Sequence, residues 1–255
     1  MFLAIDIGNS QTSIGVFKKS ELIQHFRITT VPSRTADEYA ALWYPLLHQH
    51  ELGAERCDGV ALASVVPAAD FSIDSFCRQY LSHTPFRIHS QLHPSVRINV
   101  KVPSEVGADR IANVAYAVKY LGLPSVVVDF GTATTFDVVS KEGAYEGGII
   151  IPGVRMSIEA LGAKTSKLSN VDIVFPSSVI GKTTVECIQA GVLHGYSEMV
   201  SGLLGRVEAE MGSLSSIALT GGLSFLFQDR LKFPVKVLPN LTLEGILALY
   251  SQARS

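Results

Sequence analysis

Asp6-Ile7-Gly8-Asn9-Ser10-Gln11-Thr12 and Asp129-Phe130-Gly131-Thr132-Ala133-Thr134-Thr135 are the two stretches on which the fold turns. Both follow an apolar run, and both carry Asp-x-Gly-x-x-x-Thr. Each Asp, Gly and Thr of the second stretch lies 123 positions after its counterpart, close to half of the 255-residue chain. Repetition on that scale predicts two lobes of similar topology. Each Asp-x-Gly falls where a strand ends and turns back. Glycine there lets the backbone approach a phosphate closely. Successive N–H groups and the side chains of Asn9, Ser10, Thr12, Thr132, Thr134 and Thr135 can cradle its oxygens. Asp6 and Asp129 are placed to hold a cation against the phosphate charge. A plainer reading has Gly8 and Gly131 making tight turns that the aspartates cap; two copies at matched positions favour phosphate binding.

The rest of the chain alternates short apolar runs with helical patterns, the mark of an α/β fold. Strands are expected over residues 2–7, 13–17 and 22–29, then a helix over 35–51 opened by a Thr35–Glu38 capping box. A strand over 59–66 leads to Pro67, at the favoured first position of a helix. A short strand over 86–89 and a helix over 106–121 follow. The order then restarts with strands over 125–129, 135–140 and 145–151, and helices over 155–161 and 184–210. Strands over 216–219 and 235–238 and a closing helix over 243–252 complete it. The fold class is therefore two similar lobes, each a mixed sheet flanked by helices. Residues 1–118 carry the first phosphate loop and residues 119–255 the second.

Composition narrows the function. Hydrophobic residues make up 47% and the mean hydropathy is +0.29, which excludes a disordered chain. Charged residues are 17%, against about a quarter in an average protein, so part of the surface is expected to be covered in an oligomer. The net charge is −2 and Lys18-Lys19 is the only adjacent basic pair, so nucleic acid is not expected as a partner. The start of the chain has no basic segment and carries Asp6, unlike a secretory signal. No apolar run approaches the ~20 residues of a membrane span. Cys57, Cys77 and Cys187 are odd in number with no Cys-x-x-Cys spacing, as expected of buried thiols in a reducing cytoplasm.

Gly107-Ala108-Asp109-Arg110 puts a carboxylate and a guanidinium at a helix start. An aspartate in a first helical turn favours the helix dipole and needs no other role. Beside two phosphate loops, however, Asp109 is a candidate base and Arg110 a partner for an anionic group on the acceptor. Other patterns fail on their chemistry. Gly181-Lys182-Thr183 resembles the end of a Walker loop, but Pro176 stands where that loop needs glycine. His89 and His93 are four apart, yet Pro94 follows and no third ligand is near. Neither Gly-x-Ser-x-Gly nor Gly-x-Gly-x-x-Gly occurs.

Two lobes, each with an Asp-x-Gly phosphate loop, resemble the superfamily of acetate kinase, sugar kinases, Hsp70 and actin, with its ribonuclease H-like lobes and actin-like ATPase fold. Within it the chain resembles the type III pantothenate kinases along nearly its whole length. The segments that carry the likeness are Asp6 to Ser10, Glu105 to Asn113, Asp129 to Thr135, Gly147 to Gly153, Thr165-Ser166-Lys167-Leu168, Gly181 to Thr184 and Thr220-Gly221-Gly222. The resemblance implies ATP-dependent phosphorylation of pantothenate to 4′-phosphopantothenate, the first step of coenzyme A biosynthesis. By the family's pattern, Asp6, Ile7, Gly8, Asn9, Ser10, Gln11, Thr12, Ser13 and Thr132 hold ATP. Asp109 takes the proton of the primary hydroxyl, with Gly107, Ala108, Arg110 and Thr184 helping to hold the acceptor. Asp129 binds a monovalent cation, potassium or ammonium, and a divalent metal such as magnesium is also needed. The resemblance further implies a cytoplasmic homodimer with the acceptor site near the subunit interface. Val100 stands where many relatives have a tyrosine that touches the acceptor. Ser10 keeps the hydroxyl of a commoner threonine, and Leu223-Ser224 replaces an acidic-small pair, so no adenine contact is assigned there. A non-catalytic nucleotide-binding regulator on the same scaffold, or a kinase of the superfamily with another small acceptor, are the alternatives; Asp6, Asp109 and Asp129 together favour the enzyme.

Overall fold

The computed structural model describes residues 1–49, 57–90, 96–163 and 171–254. Two units emerge, Met1–Tyr120 with Leu241–Ser255, and Leu121–Asn240. In the first, β1 (Phe2–Ile7), β2 (Gln11–Lys18) and β3 (Glu21–Thr29) form an antiparallel meander. Helix α1 (Ala36–Gln49) leads to β4 (Gly59–Ser64), which lies parallel to β1. Helix α2 (Pro67–Tyr80) then returns the chain to β5 (Phe86–Arg87), parallel to β4. A short strand β6 (Arg97–Ile98), not expected from the sequence, precedes α3 (Ala108–Tyr120). The sheet order is β3-β2-β1-β4-β5.

The second unit repeats this plan. β7 (Ser125–Phe130), β8 (Ala133–Val139) and β9 (Ala144–Pro152) are again an antiparallel meander. Helices α4 (Val154–Ala163), α5 (Thr184–Gln189) and α6 (Gly195–Met211) follow. Then come β10 (Ser216–Thr220), parallel to β7, and β11 (Lys236–Val237), parallel to β10. The strands run β9-β8-β7-β10-β11, the order and sense of the first sheet. The helix expected over 184–210 is interrupted by a π-helical turn at Ala190–His194, where Gly191 and Gly195 weaken the regular ladder.

Strands β1 and β7 are buried along almost their whole length, because helices cover both faces of a sheet whose centre is parallel. In the first unit, Leu3, Ile5 and Ile7 pack with Trp43 of α1 and Phe76 of α2, whose rings meet edge-on at 4.5 Å. In the second, Val126 and Val128 pack with Leu193, Val200 and Leu204, and Phe130 stacks on Phe227 at 4.7 Å.

Two expectations are corrected. The closing helix α7 (Leu241–Gln252) belongs to the first unit, not the second. It buries Leu241, Leu243, Ile246 and Leu249, and the Thr242 hydroxyl donates to Asn113 Oδ1 of α3 at 2.8 Å. An apolar helical pattern says that a face is buried but not against which sheet. Of the three thiols, Cys57 and Cys77 are buried, whereas Cys187 is exposed on α5. Among the described residues no helix is long and apolar enough to cross a membrane.

Candidate functional site

The first loop is a hairpin closed by the Gly8 N–H donating to Gln11 O at 3.0 Å. A Cβ on Gly8 would lie 3.2 Å from that oxygen, which is why glycine fits the turn. Asn9, Ser10 and Gln11 are exposed at the tip, Asp6 and Ser13 are half-buried and paired across the strands, and Ile7 is buried in the core. Thr12 is placed differently from expectation. It is fully buried, and its hydroxyl meets that of Thr30 at 2.9 Å.

In the second loop Gly131 N–H donates to Ala133 O at 3.1 Å, with Gly131 and Thr132 exposed. This hairpin is one residue shorter. Asp6 pairs with Ser13 and Ile7 with Thr12, whereas Asp129 pairs with Thr135 and Phe130 with Thr134. The 123-residue offset therefore holds for Asp and Gly but not for Thr: the counterpart of Thr12 is Thr134, which is equally buried. Asp129 is half-buried beside Gly221, at the end of β10. Gly221 has φ +86°, and a Cβ there would come 2.4 Å from Asp129 Oδ1 and 2.6 Å from Phe130 C. The carboxylate thus sits in a niche that only a residue without a side chain leaves open. In the sequence Thr220-Gly221-Gly222 is legible only as a glycine pair at a strand end, with nothing local that ties Gly221 to Asp129.

Asp109 stands in the first turn of α3, with Gly107 O capping that turn by accepting from Ile111 N–H at 3.1 Å. Asp109 Oδ1 accepts from Arg110 N–H at 2.8 Å. A Cβ on Gly107 would lie 2.4 Å from the same Oδ1 and 3.3 Å from Val65 Cγ1. Val65 in turn donates its N–H to Ile7 O at 3.0 Å, just beyond the Ile7–Ser64 pair of the parallel strands β1 and β4. This chain of contacts sets Asp109 at the C-terminal ends of β1 and β4, where Asp6 and the first loop begin. The carboxyl ends of parallel strands are the usual place for a ligand in such sheets. Burial pushes the Asp109 carboxyl above the ordinary range, opposed by the Arg110 N–H and the Arg110 charge.

Ala108 is buried at the start of α3 and Arg110 is half-buried beside Asp109. Thr184 is the exposed first residue of α5, behind a Thr183–Glu186 capping box. Lys182 and Thr183 give their N–H groups to Glu186 Oε2 at 2.7 and 3.0 Å, so Gly181-Lys182-Thr183 is a helix cap and not a phosphate loop. Val100 follows β6 and is half-buried. Thr165-Ser166-Lys167-Leu168 and His93 lie outside the described residues. Among the described residues no group of three or more His, Cys, Asp or Glu gathers as a metal site.

A family model described as type III pantothenate kinase matches residues 2–206. A type III pantothenate kinase of Roseiflexus sp. is 41% identical over 255 residues, covering 100% of both chains. One from Exiguobacterium sibiricum is 43% identical, covering 99% of both. The fold is shared with solved structures of low identity. The activator of 2-hydroxyisocaproyl-CoA dehydratase from Clostridium difficile aligns at TM-score 0.60 and 13% identity, over 99% of this chain and 95% of that one. The ROK hexokinase of Thermus thermophilus aligns at 0.55 and 12%, over 99% of each. The likeness is one of fold, and it agrees with the two lobes, each a mixed sheet flanked by helices, expected from the sequence.

Proposed function

We propose, from the premise that this chain belongs to the type III pantothenate kinase family, an assignment of its residues to the reaction. The protein is a kinase that transfers phosphate from ATP to pantothenate in coenzyme A biosynthesis. The observation that carries the assignment is the Asp109 carboxylate, held over Gly107 at the strand ends where the first phosphate loop begins.

Asp109 accepts the proton of the pantothenate primary hydroxyl as that oxygen bonds to the γ-phosphorus and the bond from phosphorus to the ADP oxygen breaks. Its raised basicity suits a general base better than an ordinary exposed carboxylate. Gly107 and Ala108 shape the acceptor side, Arg110 pairs its guanidinium with the pantothenate carboxylate, and Thr184 adds an exposed hydroxyl. Asp6, Gly8, Asn9, Ser10, Gln11 and Ser13 hold the ATP phosphates of the first loop, with Ile7 and Thr12 bracing it from within. Thr132 serves in the second loop.

Asp129 suits a monovalent cation by its hard carboxylate oxygen, which glycine at 221 allows to stand at the end of β10. Asp129 would hold that ion, potassium or ammonium, and magnesium would be carried with the ATP phosphates. These cations, when bound, neutralise charge on the transferring phosphoryl group. We further propose that the protein works in the cytoplasm and as a homodimer, the latter in accord with its charge-poor composition.

The test is coupled ADP release with ATP, magnesium and pantothenate, with and without potassium, beside Asp109→Asn. Potassium-dependent turnover that falls by about 10²–10⁴ in the variant is expected of a lost general base. ATP binding without turnover would point instead to the regulator, and turnover on another acceptor to a sister kinase. If Arg110→Lys left the KM for pantothenate unchanged, the carboxylate pairing would be wrong.

A further inference from the structure

Thr30, the residue just beyond β3, belongs to no motif, yet three polar groups of the first phosphate loop converge on it. Its N–H donates to Ser10 O at 3.0 Å and its hydroxyl donates to Gly8 O at 2.7 Å. The hydroxyl also meets Thr12 Oγ1 at 2.9 Å. A hydroxyl has one proton. With that of Thr30 committed to Gly8, the bond to Thr12 must run the other way, from Thr12 to Thr30. The result is a directed relay, Thr12 to Thr30 to the Gly8 carbonyl, in which Thr12 and Thr30 are both buried. Thr12 therefore has no proton left for a phosphate oxygen.

The second loop meets the same need without a hydroxyl. Gly153, just beyond β9, donates its N–H to Thr132 O at 3.1 Å, as Thr30 does to Ser10 O. A Cβ at Gly153 would fall 2.2 Å from Thr132 O and 2.7 Å from Gly131 O. The third strand thus closes directly onto the backbone of the second loop, and through a side chain onto that of the first.

We propose that Thr30 is the positioning residue of the first phosphate loop: by fixing the carbonyls of Gly8 and Ser10 it sets the loop's shape for nucleotide binding, with Thr12 acting through it. This rests on the reading that the first loop holds ATP phosphates. Valine keeps the branched shape of threonine and removes only the hydroxyl, leaving the Gly8 carbonyl unpaired.

The experiment measures ATP binding by calorimetry without pantothenate, then KM for each substrate, in Thr30→Val, Thr30→Ser, Thr12→Val and the double valine variant. The expected result is a roughly tenfold rise in Kd and KM for ATP in Thr30→Val, with the pantothenate KM changed less than twofold. Thr30→Ser should restore ATP binding, which a loss of packing alone would not predict. Thr12→Val should have the smaller effect and add little on top of Thr30→Val. The relay is overturned if Thr30→Val binds ATP like the parent, if Thr30→Ser is as impaired as Thr30→Val, or if Thr12→Val weakens ATP binding more than Thr30→Val. Should Thr30→Val fail to fold, the other two variants are read against the parent: a Thr30→Ser that binds ATP about tenfold more weakly, or a Thr12→Val that loses about tenfold or more, overturns the relay. A parent protein that binds ATP but leaves pantothenate untouched overturns the reaction and not the relay, which the binding ratios read alone.

Discussion

The carboxylate of Asp109 occupies the space that a side chain at Gly107 would fill: a Cβ there would sit 2.4 Å from Oδ1. The glycine is thus a condition for the carboxylate's position and not a matter of helix capping, since its carbonyl would cap α3 with any side chain attached. Gly107→Ala forces the carboxylate aside, and a flexible carboxylate can move where backbone cannot. The fold is therefore expected to survive with little change in Tm. Turnover is expected to fall about 10²-fold, the effect of an ångström-scale misplacement of a reacting group. Steady-state kinetics beside a thermal melt check this; equal loss in both would show that the glycine serves the fold.

Asp109 also carries a stability cost with a definite sign. Its folded-state pKa is raised by burial, so between the unfolded and the folded pKa the native state holds a proton that the unfolded state has released. Stability is unaffected below the unfolded value of about 3.9, declines as pH rises through the window, and stays lowered above it. Asp109→Asn removes the ionisation. The variant is expected to melt above the parent at pH 7, with the gap closing as pH falls towards 4, while its turnover collapses. Melting curves across that range decide it; a variant less stable at pH 7 would mean that the charged form is favoured in the native state.

How much of this could be read in the sequence varies with the range of the interaction. Strands 2–7 and 125–129, the Thr35–Glu38 cap and Pro67 as a helix start all follow from local pattern, and the structure has them: Thr35 N–H donates to Glu38 Oε2 at 2.7 Å. Asp109 and the aspartates of the repeat stand out as candidates because the proposed chemistry needs a carboxylate at a set place. The matching of Thr12 with Thr135 failed by one residue, because numbering carries no trace of a hairpin shortened at its tip. Thr30 and Gly221 were hidden for a related reason. Each acts on a loop about 20 or 90 residues away, on partners that only strand pairing brings near.

The closing helix offers a third test. Gly245 of α7 lies so close to α3 that a Cβ would fall 2.0 Å from Ala112 O, on backbone that cannot step aside without moving the helix that starts at Asp109. Gly245→Ala is expected to cost about 3 kcal/mol, the upper range for an overpacked core. It should also lower kcat through α3. Ending the chain at Asn240 removes Leu241, Leu243, Ile246 and Leu249 from the first unit and should leave it unable to fold. Chemical denaturation of the point variant and solubility of the truncation check both; a soluble, active truncation would show that α7 is dispensable to that unit.

Gly221 makes the sharpest case because two effects fall on one position. Its φ of +86° is left-handed, costing a side-chain-bearing residue about 1–2 kcal/mol. A Cβ would also press on the backbone of Phe130, 2.7 Å from N, and on Asp129 Oδ1 at 2.4 Å. Backbone neighbours cannot rotate away, so Gly221→Ala displaces β7 relative to β10 or turns the Asp129 carboxylate out of its niche. Either response alters the oxygen offered to a cation. The expected outcome is a fall in Tm with a rise of severalfold in the potassium concentration needed for half-maximal turnover, and less change in the KM for pantothenate. Titrating potassium at saturating ATP and pantothenate reads this directly. An unchanged potassium curve in a folded Gly221→Ala would remove Asp129 from the cation site and leave its carboxylate a structural cap of the second loop.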